Sequence, residues 1–232
     1  AWAQKTLPRQ STPASNVFVY TGADLEFDEG ARIGKYNTKL FDATTAVVNK
    51  AASARNASVS SYRFDKYANE MFRSSKFANV VPEQRKAYLA KAEVARETGA
   101  RLQKEFFQKI KDKINKSDGS SNVTLVLNAH GNFGGNIYGF QSQIQAEQII
   151  ELAKLAASKK TYFRVVTSTC YGGDLIQKLS ELRSPYVCGW ADGLPSLTSY
   201  HGPERSNYTI QGKTYEDWKN EVTSLLFEDL SK

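Results

Sequence analysis

Several stretches of the chain are almost continuously apolar, and such stretches are typical of strands that are covered on both faces of a sheet. The clearest are NVFVY at 16–20, VTLVLNAHG at 123–131 and YFRVVTSTC at 162–170. A shorter run, YVCGW at 186–190, predicts one more strand. The polar or turn-forming residues that follow these runs mark where each strand ends.

Elsewhere the apolar residues recur at every third or fourth position, and this spacing predicts amphipathic helices. The strongest such stripe covers 82–116 and predicts one long helix or a helix pair. Shorter helices are predicted at 146–157 and 172–183. A last amphipathic helix is predicted around Trp218.

The alternation of strands and helices determines the expected fold class. Strand–helix–strand units of these lengths are typical of an α/β protein with a mostly parallel sheet and helices on both faces. We expect a single domain over 1–232, with an extended arm at 1–15 and a helical insertion at 38–116 between early strands. Within this insertion, YRFDKYANEMF at 62–72 fits either a helix or an edge strand.

Composition and charge narrow the class of protein. A chain of 232 residues with 41% hydrophobic residues can bury one substantial core. Its apolar runs are far shorter than the roughly 18 residues that a membrane-spanning helix needs, so we expect no membrane span. The net charge of +7 suits a polyanion, but Lys and Arg alternate with Glu and Asp as on a solvated helix face. We therefore expect no nucleic-acid partner.

The chain contains only two His and two Cys residues. His130 ends one predicted strand in NAHG, and Cys170 ends another in TSTCYGG. Without a C-x-x-C pair, we expect neither a metal site nor an organic cofactor. Cys188 is interpreted as a small core residue, and a Cys170–Cys188 disulfide is the alternative. His201 lies in a polar loop that no apolar strand precedes, which disfavours a catalytic role.

The positions of His130 and Cys170 favour a shared site. If their strands are neighbours in a parallel sheet, both residues emerge at the edge where the strands end and the loops converge. A nearby imidazole and a following helix N-terminus both favour the reactive thiolate. The backbone N–H groups of Gly131 and Cys170 can then stabilise the oxyanion of an acyl transfer through a thioester.

A buried strand that ends in His-Gly, then a helix, then a buried strand that ends in Cys-x-Gly-Gly resembles the caspase, legumain, gingipain and clostripain clan of cysteine peptidases. The resemblance covers about 16–195, with its specific content at 123–135 and 163–173. It implies a caspase-like fold with His130 as the general acid/base and Cys170 as the nucleophile.

The same resemblance implies that the Gly131 N–H is an oxyanion donor and suggests which residues bind substrate. The position two before the nucleophile helps to line the specificity pocket in several relatives, and here it is Ser168. The loops that also shape this pocket carry Asp24 with Glu26 and Asp192. Acidic groups there favour a basic residue before the scissile bond.

The expected function is that of a cysteine endopeptidase acting on a protein or on its own chain. Some relatives are autoprocessing toxin domains activated by inositol polyphosphate, and the positive net charge suits such a partner. Another alternative is a non-catalytic caspase-like scaffold that binds a peptide along a sheet edge. A third is a polyanion-binding domain in which His130 and Cys170 are incidental.

The glycine-rich stretch GNFGGNIYG at 131–139 is a separate motif. It lacks the Lys-Ser/Thr of a phosphate-binding loop and the regular glycine spacing of a dinucleotide site. We interpret it as a flap over the cleft.

Overall fold

The structure of the protein is a computed structural model. It describes residues 14–22, 45–46, 48–50, 52–53, 57–117, 119, 121–140, 142–191 and 195–196. The greater part of the predicted N-terminal arm, the predicted helix around Trp218 and His201 lie outside these residues.

A five-stranded sheet forms the centre of the fold, and all of its strands are parallel. The strands are β1 (Ala14–Thr21), β2 (Ser58–Arg63), β3 (Ser121–Asn128), β7 (Tyr162–Thr167) and β8 (Val187–Ala191). They lie side by side in the order β2-β1-β3-β7-β8. All four apolar runs are therefore strands of one sheet, and the predicted α/β class with a mostly parallel sheet is confirmed.

A second, smaller sheet lies between β3 and β7 in the sequence. Its strands are β4 (Gly131–Asn132), β5 (Asn136–Tyr138) and β6 (Gln143–Ile144). They are antiparallel and lie in the order β4-β5-β6. The glycine-rich stretch after His130 is thus a hairpin with a defined register.

Within the described residues, four helices with defined ends accompany the sheet. They are α1 (Asp65–Val80), α2 (Arg85–Asn115), α3 (Ala146–Ser158) and α4 (Gly172–Ser180). The stripe at 82–116 is one long helix preceded by a 3-10 turn at Pro82–Gln84, and its buried residues keep the predicted spacing. Residues 45–46, 48–50 and 52–53 are also helical.

The region predicted as a helical insertion contains a strand of the main sheet. In YRFDKYANEMF the first two residues end β2 and Asp65 begins α1, so the stretch is strand and then helix. The boundary falls at Phe64, whose side chain is fully buried and whose N–H donates to the Thr21 carbonyl at 2.9 Å. This bond links the start of α1 to the end of β1.

Helices cover both faces of the sheet. On one face, Phe18, Leu125 and Phe163 share a core with buried residues of all four helices. On the other face, Val19 and Val126 pack with Val48 and Ala52, which are among the described helical residues before β2. The alternation along each strand, with successive side chains on opposite faces, explains why the runs are apolar without a break.

Candidate functional site

The carboxyl ends of β3 and β7 bring the His-Gly and Cys-x-Gly-Gly motifs to one edge of the sheet. The two strands are parallel neighbours, and their register pairs Leu127 with Thr167. His130 lies three positions beyond Leu127, and Cys170 lies three positions beyond Thr167. The two strands are therefore neighbours, as the shared site requires, and both residues are half-buried.

Gly131 is in backbone contact with the cysteine segment. A Cβ built at Gly131 overlaps the carbonyl oxygen of Cys170, and it lies 2.9 Å from the carbonyl carbon of Cys170 and 3.1 Å from Cβ of Thr169. No side chain fits in this space, so close packing requires glycine here. The chain directly after His130 therefore lies against Cys170.

The motif after His130 continues into a hairpin, residues 131–138, which we call the glycine hairpin. Gly131 pairs with Ile137, and the Tyr138 N–H donates to the His130 carbonyl at 2.9 Å. Its turn requires left-handed backbone at Gly134, with a φ of 72°, and at Gly135, with a φ of 77°. Glycine adopts this conformation without steric cost, which explains the two adjacent glycines.

The tip of the glycine hairpin packs on the first turn of α4. The Gly134 N–H donates to Oδ2 of Asp174 at 3.0 Å. A Cβ at Gly135 would lie 2.8 Å from Cα of Leu175, so the hairpin backbone touches the helix backbone. The rings of Phe133 and Tyr171 contact each other, with centroids 4.4 Å apart.

The chain that follows the hairpin is anchored in the core. The Phe140 N–H donates to the hydroxyl of Tyr20 at 3.0 Å and to Oε1 of Gln103 at 2.6 Å. The Tyr20 hydroxyl itself donates to the same Gln103 oxygen at 2.6 Å. Burial raises the pKa of Tyr20, which keeps the hydroxyl protonated for this bond. The hairpin thus has a rigid support from β1 and α2.

Cys170 lies in a tight connection between β7 and α4. The next residue, Tyr171, has left-handed backbone with a φ of 57° and precedes the first residue of α4. The connection is held by the Gly172 N–H, which donates to the Thr169 carbonyl at 3.0 Å, and by a 2.7 Å bond between the hydroxyls of Thr167 and Thr169. This geometry puts Cys170 directly before a helix N-terminus, where negative charge is stabilised.

Three polar residues lie side by side at the same edge, and we call them the polar row: Thr21, Asn128 and Ser168. Thr21 pairs with Asn128 in the β1–β3 register, and the Ser168 N–H donates to the Leu127 carbonyl at 2.9 Å. Among the described residues, their buried side-chain oxygens and the Asn128 amide nitrogen have no hydrogen-bond partner. Unpaired buried polar atoms are costly, so the polar row lowers the stability of this edge of the sheet.

Two of the sequence-based interpretations of cysteine are wrong. Cys188 is exposed rather than part of the core, because it lies on β8, which is an edge strand in the described part of the sheet. Cys170 and Cys188 are both thiols rather than a disulfide. Cys188 pairs with Arg164, three positions before the end of β7, whereas Cys170 lies three positions beyond that end, so the two thiols lie at different levels of the sheet.

The predicted substrate-binding residues are only partly described. Ser168 is half-buried at the edge of the sheet beside the two motifs. Asp24, Glu26 and Asp192 lie outside the described residues, so a preference for basic substrates stays a prediction.

Sequence reasoning missed the contact between the glycine hairpin and α4. Asp174 was recognisable only as an acidic residue near a helix start. Phe133, which is 69% exposed, could not be recognised from the sequence, because its role depends on the contact with Tyr171 in another loop. The pairing of both loops becomes visible only when the strand register is known.

Across the described residues, no group of three or more His, Cys, Asp or Glu side chains is arranged to hold a metal ion. Over the same part of the chain, no helix has both the length and the apolar character to cross a membrane. Comparison with known proteins adds no relative, since the sequence matches no protein-family model and no curated protein.

Proposed function

We propose that the protein is a cysteine endopeptidase of the caspase-like clan, with Cys170 as the nucleophile and His130 as the general acid/base. The observation that carries the proposal is the backbone contact between Gly131 and the Cys170 carbonyl at the carboxyl ends of two neighbouring strands. It supports a common site for the two motifs, at the position where α/β sheets bind ligands.

The chemistry uses only groups of this chain and water. The Cys170 thiolate attacks the carbonyl carbon of the scissile peptide, so a C–S bond forms and the carbonyl oxygen becomes an oxyanion. The N–H groups of Gly131 and Cys170 stabilise this charge. His130 donates its proton to the departing amine, the C–N bond breaks, and a thioester remains. Water then attacks the thioester, its proton passes to His130, and Cys170 leaves as thiolate.

Substrate contacts in this proposal come from the polar row. Thr21, Asn128 and Ser168 supply hydroxyl groups and a carboxamide whose hydrogen bonds are unmade among the described residues. In this proposal a bound peptide displaces the groups that shield these buried atoms and supplies the missing hydrogen-bond partners. Acidic selectivity groups at Asp24, Glu26 and Asp192 would add a preference for a basic residue.

Substitution of the nucleophile tests the proposal. Purified wild-type protein is incubated with a library of reporter peptides, and intact mass is followed to detect cleavage of its own chain. We expect Cys170→Ala to abolish both activities and Cys188→Ala to retain them, because Cys188 is exposed and remote along the sheet. Peptidase activity that survives in Cys170→Ala would exclude the proposed nucleophile.

An inositol polyphosphate activator is the partner that the net charge of +7 favours. If the protein is an autoprocessing domain, inositol hexakisphosphate should raise its melting temperature and accelerate self-cleavage. Sulfate at matched ionic strength is the control for nonspecific charge screening. Equal shifts with the two anions would remove inositol polyphosphate as an activator. A non-catalytic scaffold would bind peptides but show no thiol-dependent cleavage under either condition.

A further inference from the structure

Asp174 is bonded to two segments outside its own helix. Its Oδ2 accepts a hydrogen bond from the Gly134 N–H at 3.0 Å, at the tip of the glycine hairpin. Its Oδ1 accepts one from the Ser196 N–H at 2.7 Å, beyond the end of β8. Asp174 is half-buried in the first turn of α4, four residues after Cys170. One carboxylate therefore joins the histidine loop, the cysteine loop and the chain beyond β8.

The hairpin contacts the chain around Cys170 at other points besides Gly134. These include the backbone contact of Gly131 with Cys170, the ring contact of Phe133 with Tyr171, and the backbone contact of Gly135 with Leu175. Those three are packing contacts, which tolerate small sliding movements. The bond to Asp174 is directional and charge-assisted, so it is the contact that best defines how the hairpin sits on the helix.

The placement of the hairpin determines the catalytic geometry. The hairpin begins at Gly131, whose N–H is the proposed oxyanion donor and which directly follows His130. A movement of the hairpin relative to α4 therefore changes the distance from this N–H, and from the imidazole, to the Cys170 sulfur. Displacements of about 1 Å in such sites can reduce rates by about 100-fold.

We infer that Asp174 is a positioning residue, which holds the glycine hairpin against the cysteine loop and so sets the His130–Gly131 backbone relative to Cys170. The inference rests on the proposed function for its catalytic consequence, although the positioning itself is independent of the reaction. Asp174 does not contact the substrate in this arrangement. Its loss is therefore expected to affect the turnover number more than substrate binding.

Two substitutions at Asp174 test whether its two acceptor oxygens are needed. Asp174→Ala removes both acceptors, and kcat should fall by about 100-fold with KM changed by less than about threefold. Asp174→Asn keeps the shape but has one acceptor oxygen for two N–H donors, so its kcat should lie between those of wild type and Asp174→Ala. The matched control is Glu147→Gln, which removes an acidic group in the first turn of α3 that bonds Lys178 of α4 at 3.2 Å. It should stay within about twofold of wild type, since surface pairs contribute little.

Hydrogen exchange and alkylation kinetics distinguish positioning from general stability. In Asp174→Ala, the N–H groups of 131–135 should exchange faster while those of β3 and β7 stay protected. The rate of Cys170 alkylation by iodoacetamide should change in Asp174→Ala and not in Glu147→Gln. If wild type cleaves no peptide but these two changes appear, positioning stands and the proposed function fails. If wild type is active and Asp174→Ala and Asp174→Asn keep its kcat and its alkylation rate, the inference is overturned.

Discussion

Two buried asparagines, one at each end of the sheet, have opposite surroundings. At the amino end, Asn16 accepts a hydrogen bond from the Ser58 hydroxyl at 2.8 Å and donates one to the Asn122 carbonyl at 3.4 Å. At the carboxyl end, Asn128 is completely buried, and neither its amide nitrogen nor its amide oxygen has a partner among the described residues. Asn16 thus forms structural hydrogen bonds at one end of the sheet, whereas the Asn128 side chain is unpaired among the described residues at the other end.

Under the proposed function, the unpaired Asn128 lies at the end of the sheet where the ligand binds. Unpaired polar groups lower stability, and proteins retain them mainly where function requires them. The amino end has two such groups of its own, the side-chain oxygens of Asn122 and Thr161. They are useful as controls, because no catalytic motif lies beside them.

The largest effect is expected from a methyl group at Gly131. Gly131→Ala should reduce peptidase activity by about 100-fold or more, because the added Cβ overlaps the Cys170 carbonyl and separates the two loops. Gly119→Ala is the control at the amino end: Gly119 has left-handed backbone with a φ of 86°, but its Cβ would have no neighbour closer than 3.8 Å. It should cost about 1 kcal/mol of stability and leave activity unchanged. Equal activity of the two variants would contradict the proposed site.

Next in size is the effect of replacing each asparagine by leucine. Asn16→Leu should destabilise the protein by about 1–3 kcal/mol, because Ser58 and Asn122 lose their partner. Asn128→Leu should be neutral or stabilising, since it removes two unpaired polar atoms and keeps a similar volume. Urea denaturation midpoints measure both. A similar loss of stability at the two positions would show that Asn128 is structurally satisfied.

The smallest effect is expected for two threonine-to-valine changes. Thr21→Val and Thr161→Val each remove a buried hydroxyl that has no partner among the described residues, and each should stabilise the protein by up to about 1 kcal/mol. Only Thr21→Val should raise KM, because only Thr21 belongs to the polar row. Thermal melts and steady-state kinetics on the two variants decide this; a raised KM in Thr161→Val would remove the distinction between the two ends.

Much of this sheet is predictable from the sequence because four of its strands are continuous apolar runs. β2, which reads SVSSYR, escapes prediction since it is polar, and its residues are only half-buried or exposed. Its pairing with β1 depends on the rest of the sheet rather than on its own pattern. Local patterns therefore identify apolar strands such as β8, even at an edge of the described sheet, and miss polar strands such as β2.

The candidate site also has a part that the sequence predicts and a part that it does not. His130 and Cys170 are recognisable because each ends an apolar run, and the parallel topology then puts them at one edge. The bond between Asp174 and Gly134 joins residues 40 positions apart in the sequence, through a glycine turn with left-handed backbone. No local pattern encodes such a contact, so it requires the three-dimensional structure.

The most direct test compares the reactivity of the two cysteines. Wild type and His130→Ala are each treated with a peptidyl acyloxymethyl ketone, and the modified residue is mapped by mass spectrometry. If His130 and Cys170 form a catalytic pair, Cys170 is modified in wild type and not in His130→Ala, and Cys188 is not modified although it is the more exposed thiol. Equal modification of both cysteines, or modification of Cys170 that does not depend on His130, would contradict a catalytic pair.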